Sequence, residues 1–295
     1  MATTATKWFV GCGIGCIVMI FLLAGLAGGG FLCVRGMVRG FQAVEESQEA
    51  LIAEYGSITD YFPSADGSIE GDRISRFISV RQALIPHQKR LEMKFDRIAR
   101  HGHEKEKTVT KILKTIRGFS SIAPAIASYI EARNSTLLEQ SMGIGEYIYL
   151  YMIIYHSWFG NEPDDHPNID NFIIHAEESG NGDGSDFNTN FDSEEIQQRY
   201  RLLSVRFLEN QIHAAESMRE RQDPAWIASL DDEVHSLKEG IHVKLWQNGL
   251  PLPIRSSIEP YRTKLEQTYS VTSNVFDIFF NDFDRNSDNE TSTRL

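Results

Sequence analysis

MGIGEYIYLYMIIYHSWF, residues 142–159, is the stretch whose reading decides the fold. It is apolar and aromatic almost throughout, with one carboxylate (Glu146) and one imidazole (His156). A bilayer core about 30 Å thick needs roughly 20 helical residues, so a run of this length sits at the lower limit for a span. Neither end carries a basic flank. In lipid, the hydroxyls of Tyr147, Tyr149, Tyr151 and Tyr155 and the ring of His156 would also need partners. The segment therefore reads as a core helix, hydrophobic on all sides, at the centre of a bundle. The core extends back to Ala125.

Glu146 is the candidate site residue. It heads a row formed by Tyr147, Tyr151 and Tyr155, spaced i, i+4, i+8 along one helix face. Burial in an apolar helix would raise its pKa. One reading is a ligand-binding or acid/base carboxylate using this tyrosine region. The other is a structural carboxylate paired with an arginine such as Arg133 or with tyrosine hydroxyls, and it is the one the sequence favours. The tyrosine row likewise fits core packing. His156 lies ten positions on, about 80° around the helix, so it does not share a metal with Glu146.

Helices flank this core. Phe41, Val44, Gln48, Leu51 and Tyr55 alternate by three and four, with Glu45, Glu46 and Glu49 facing away, which predicts an amphipathic helix over 40–55. Pro63, Asp66-Gly67 and Gly71 mark a loop. Ile74, Phe77, Ile78, Leu84, Leu91, Phe95 and Ile98 predict a second helix over 73–100, with a kink or break at Pro86. HGHEKEK (101–107) reads as a solvated turn, and His101 and His103 there lack a third metal ligand. Helix resumes at Val109, is interrupted at Gly118, and restarts at Ser120 or Ser121 before Pro124.

On the far side, 160–192 is acidic and rich in glycine and asparagine, a mobile loop with one apolar patch, Asn171 to Ala176, that suits a short strand. Its oxygens at Asn181, Asp183, Ser185 and Asp192 are only loosely calcium-like, because a calcium loop needs glycine at position six and glutamate at twelve. Asp192 with Glu195 forms a capping box for a helix over 193–221. Asp223-Pro224 opens another, ending at Gly240. Ile241, Val243 and Leu245 alternate like a strand before the turn QNGLPLP. Ser257 caps a last helix through Tyr269. Residues 281–295 are a polar, disordered tail.

The start of the chain differs in kind. Trp8 to Val34 has neither charge nor proline, enough to span a bilayer as one helix. A cleaved signal peptide ending near Ala27 is the rival, but the apolar run continues to Val34. Lys7 lies on one side, Arg35 and Arg39 on the other, and the reading taken places the N-terminus inside. Gly11 with Gly15, and Gly25 with Gly29, are small-residue pairs that allow two such helices to pack.

The organisation expected is a short segment 1–7, a transmembrane helix 8–34, a juxtamembrane helix and loop 35–63, and a helical domain 64–280. The formal charge of −12 disfavours nucleic acid and anionic headgroups. All three cysteines, Cys12, Cys16 and Cys33, lie in the span, so the domain has no disulfide, thiolate nucleophile or cysteine metal site. No phosphate loop, dinucleotide fingerprint, HExxH or serine-elbow motif occurs.

Four stretches carry a resemblance: MGIGEYIYLYMIIYHSWFG (142–160), GCGIGC (11–16), EYGSITDY (54–61), and LWQNGLPLP with EPYRTKLEQTY between 245 and 269. Together they resemble uncharacterised bacterial envelope proteins with a single N-terminal transmembrane helix. The resemblance implies a bacterial membrane protein of no assigned activity and transfers no catalytic residue.

The expectation is thus a mainly α protein with at most a short two-stranded β element, single-pass in the plasma (inner) membrane. It is a non-enzymatic interaction or scaffold module with no cofactor. It meets the lipid bilayer through 8–34 and associates with itself or with an envelope protein, its domain on the extracytoplasmic side. The alternative is a small-ligand-binding domain using Glu146, Tyr147, Tyr151 and Tyr155.

Overall fold

Helical periodicity carries through most of the chain. A computed structural model of the protein describes residues 31–101, 108–165, 193–218 and 223–279, and among these the chain is mainly helical with no strand. The helices are α1 (Phe31–Tyr55), α2 (Gly71–His101), α3 (Thr108–Glu139), α4 (Ile144–Tyr151), α5 (Ser193–Ser217), α6 (Pro224–Lys238), α7 (Leu252–Ile258), α8 (Arg262–Glu266) and α9 (Val271–Phe279). Seven π-helical residues, Met152–Trp158, extend α4. Most of the predicted span, residues 8–30, and most of the acidic loop and tail lie outside the described residues. None of the described helices is long and apolar enough to cross a membrane.

The 142–159 run is a buried helix. Every residue from Ile144 to His156 is buried; α1, α2, α3 and the segment around Ile58 pack around it, and α9 meets it through hydrogen bonds from Tyr147 and Tyr151. Burying a side chain such as Ile148 or Leu150 stabilises by about 1.5–3 kcal/mol, so this helix contributes strongly to the core. On α1, Leu51 is buried and Val44 and Tyr55 pack on the core, while Glu45, Glu46 and Glu49 are exposed, as the amphipathic pattern required.

Three long helices make the frame. α1 and α3 run parallel, with Asn134 Nδ2 donating to Ser47 Oγ at 3.2 Å and Gly143, just past α3, against Tyr55. α2 and α3 run antiparallel, tied by Arg76 Nη1 to the Gln140 carbonyl at 2.9 Å at one end and by His87 to Ser128 further along. The α5–α6 pair, tied by a Lys238–Glu209 ion pair at 2.8 Å, closes another side. It grips the loop after α1 through Asn210 to the carbonyls of Thr59 and Tyr61, and through Gln211 to that of Ser64.

Several local expectations are corrected. α2 passes through Pro86 and α3 through Gly118 and Pro124 without a break. Both prolines are exposed, so water can take the carbonyl that each leaves without a donor. The alternating 241–245 segment is a turn, not a strand. The Glu233 carboxylate accepts from the Trp246 amide at 2.5 Å and pairs with His242 Nε2 at 3.0 Å, which binds the segment to α6 instead of to a partner strand. Ser257 does not cap a helix. It sits inside α7, which begins after Pro251, and its hydroxyl receives the Ile69 amide at 3.0 Å. The cap at Asp223 holds, its carboxylate accepting from the Ala225 amide at 2.9 Å.

Candidate functional site

Glu146 enters the structure in the first turn of α4, where the aligned backbone dipoles favour a negative charge. Arg73, in the first turn of α2, reaches it in the forked geometry that suits a carboxylate. Its Nε donates to Oε1 at 2.6 Å and its Nη2 to Oε2. The same Nη2 reaches the Ser141 carbonyl at 3.1 Å. Glu146 in turn raises the Arg73 pKa. Tyr61, beside them, has its phenol pKa pushed up by burial and then by the Glu146 charge. The partner is Arg73, not Arg133. Arg133 is turned away, to Asn134 and to the Phe276 carbonyl on α9.

Tyr147, Tyr151 and Tyr155 do form one row, but the row points into the middle of the protein, where all three are fully buried. Each hydroxyl has a partner. Tyr147 donates to Asp277 Oδ1 at 2.8 Å, Tyr151 to Asn274 Oδ1 at 3.0 Å, and Tyr155 meets Thr268 Oγ1 at 2.7 Å. The row therefore separates from Glu146, which stays at the edge of the domain while the tyrosines face α9 and the residues just before it.

At the centre lies an ion pair that spacing alone does not reveal. Arg81 Nη1 sits 2.8 Å from Asp277 Oδ2, and both side chains have no exposure. Arg81 also donates to Tyr147 OH at 2.7 Å and to the Thr268 carbonyl at 2.9 Å. Its guanidinium lies over the Tyr151 and Tyr155 rings at 5.0 and 5.3 Å. Asp277 accepts further from Tyr129 at 2.7 Å and Ser273 at 3.2 Å. Burial sends the phenol pKa values of Tyr129, Tyr147 and Tyr151 upward, with the Asp277 charge adding to the rise and the Arg81 charge opposing it, so all three remain protonated donors.

The far end of the row is the π-helical segment, a feature often found at functional sites. His156 is fully buried there. Its Nδ1 lies 3.1 Å from the Asn161 carbonyl, and its ring packs against Tyr151 and Tyr200. Burial is the main cause that lowers its pKa to about 4, so the imidazole is neutral at physiological pH. Asn274 Nδ2 donates to the Pro163 and Asp165 carbonyls, both at 2.9 Å, and fastens the chain beyond the π-helix onto α9.

Among the described residues no group of three or more His, Cys, Asp or Glu is placed to hold a metal ion. His103 and the calcium-like loop lie outside those residues. Sequence reasoning missed Arg73, Arg81, Asn274 and Asp277. Arg81 had left a signal: it occupies the gap in the apolar stripe between Phe77 and Leu84. Asp277 left none, because an acid in a short stretch near a polar tail reads as surface. No protein-family model matches the chain, and no curated protein or solved structure matches it.

Proposed function

We propose that the protein is a membrane-tethered helical interaction module of the bacterial envelope, anchored in the plasma membrane by residues 8–34 with its domain outside the cytoplasm. The observation that supports this reading best is the continuity of α1. One helix runs from Phe31, inside the predicted span, to Tyr55, and its inner face is packed along α3. A tether of that kind is a rod, not a linker, and would hold the domain at a fixed height and angle over the bilayer. The ionisable groups of the central row are engaged within the fold, which suits a body that positions partners.

The test uses the full chain in native membranes. A C-terminal reporter active only outside the cytoplasm reads the side, and crosslinking followed by detergent pull-down reads association. An active reporter and a crosslinked dimer or hetero-complex are expected. Recovery of a lone monomer would remove the interaction reading, and a cytoplasmic reporter signal would reverse the orientation.

One observation favours the alternative of ligand binding. The Arg73–Glu146 pair keeps side-chain exposures of 25% and 11%, so a small charged ligand could exchange with either partner. On that reading Glu146→Ala abolishes ligand-dependent thermal stabilisation. Destabilisation with no ligand effect in the parent protein would sink it.

A further inference from the structure

A polar atom withdrawn from water needs a partner, either in the fold or in a water held with it. Two such atoms sit on rings that meet beside the π-helical segment. His156 and Tyr200 are both fully buried, and their rings pack edge to face with centroids 5.3 Å apart. Neither His156 Nε2 nor the Tyr200 hydroxyl has a protein partner within hydrogen-bond reach.

The surroundings fix what each atom needs. His156 Nδ1 lies 3.1 Å from the Asn161 carbonyl, which can only accept, so Nδ1 carries the ring proton. In the neutral ring Nε2 is then a bare lone pair that calls for a donor. Tyr200 holds its proton, because burial raises its pKa, and its O–H calls for an acceptor. The Ser157 hydroxyl and the Leu245 amide border the Tyr200 oxygen, and the Asn274 side chain borders the imidazole, but none of them completes either atom. They are engaged elsewhere. Ser157 donates to the Met152 carbonyl at 3.2 Å. Asn274 accepts from Tyr151 at 3.0 Å and donates to the Pro163 and Asp165 carbonyls.

We propose that His156 Nε2 and the Tyr200 hydroxyl form a binding site for one trapped water. Water answers both needs at once. It donates one hydrogen to Nε2, accepts the Tyr200 proton, and keeps a second hydrogen for the Ser157 oxygen, whose own proton is spent on Met152. A charged ligand suits the site poorly, since the nearby Lys244 is already paired with Glu162 at 2.6 Å. An organic ligand suits it poorly as well, since the two rings already touch. The water joins three parts of the chain: the π-helical segment through His156, α5 through Tyr200, and the turn after α6 through Leu245. It also gives that segment a polar centre which helix packing alone does not supply.

The test is a crystal structure of the full-length protein at a resolution that shows ordered water, with Tyr200→Phe solved in the same crystal form. A single-atom peak within hydrogen-bond distance of His156 Nε2 and the Tyr200 hydroxyl is expected, and it should be lost in Tyr200→Phe while the imidazole stays in place. No density at that position in the parent, or a direct bond between Tyr200 and His156, would overturn the proposal. Density larger than one atom would overturn it too, and would assign the site to an organic ligand. A peak that persists in Tyr200→Phe would refute the shared water. Should Tyr200→Phe not fold, nitrogen-15 spectra of the parent histidines decide. The Nδ1–H tautomer with Nε2 shifted as a hydrogen-bond acceptor is expected, and an unbonded Nε2 or the opposite tautomer would sink the assignment.

Discussion

Arg81 and Asp277 are opposite charges removed from water together. Such a pair is tolerable only where other hydrogen bonds satisfy both groups; Tyr129, Tyr147, Ser273 and the Thr268 carbonyl supply them here, and only the Arg81 Nε of this pair is left without a partner. Asp277→Ala should therefore destabilise the protein by about 3–5 kcal/mol, since it leaves a cation buried without its counter-charge. Removing both charges, as Arg81→Met with Asp277→Leu, should recover part of that loss. Denaturant unfolding of the three variants measures it, and a single-variant loss below about 1 kcal/mol would mean that the pair is dispensable. His156 gives a pH dependence. Its folded pKa, about 4, lies below the value near 6.5 expected for the unfolded chain. The unfolded state therefore binds the proton first as pH falls. The stability due to the neutral imidazole is whole above about 6.5 and is lost progressively towards 4, by up to about 3 kcal/mol. His156→Gln should flatten that part of the stability curve, and an unchanged slope between those pH values would contradict the assignment. At this scale the sequence was half legible. Glu146 stood out as a lone acid in an apolar run, but its partner lies 73 residues away, a distance no local pattern spans.

The elements were more legible than their ends. Period-3.6 stripes found the bodies of α1, α2, α3, α5 and α6, because each buries one long face. Of the kink or break expected at Pro86, a break does not occur, since a proline on a solvent face costs a helix less than one facing the core, and the helix also continues through Gly118. The 241–245 strand was wrong because alternation over three residues cannot distinguish a strand from a turn held by a buried carboxylate. Gly145 shows a constraint set between elements. A Cβ there would stand 2.6 Å from the Ile58 carbonyl oxygen and 2.7 Å from Tyr61 Cβ, and backbone cannot move aside as a side chain can. Gly145→Ala should lower stability by about 1–3 kcal/mol by driving α4 away from the loop after α1. Gly160→Ala, where the added Cβ meets nothing within 4 Å but the backbone φ is +77°, probes conformational strain instead and serves as the comparison. Equal thermal shifts in the two variants would argue against close approach as the cause at Gly145.

For the whole molecule, the class was legible and the arrangement was not. Nothing in the local patterns places α9 at the centre, yet its residues from Thr272 to Ile278 are buried, with Phe276 stacked on Phe95. The Arg81–Asp277 contact closes a separation of 196 residues. A protein ending at Tyr269 should lose cooperative unfolding, and a synthetic peptide covering 270–280 should restore it in trans. Intact cooperativity without α9 would show that the helix is an ornament on an already complete core. Such long-range closure also predicts slow folding for a helical protein, as non-local contacts are the last to repay their loop entropy. The same helix has a consequence for biogenesis. Synthesis runs from α1 to α9, so Arg81 emerges from the ribosome 196 residues ahead of the carboxylate that neutralises it. Through that interval the nascent domain holds an open cleft lined by tyrosines, the kind of surface that chaperones bind and that aggregates when left uncovered. A message truncated anywhere before the codon for Val271 would make a polypeptide that never closes this cleft, and its removal would fall to quality-control proteases.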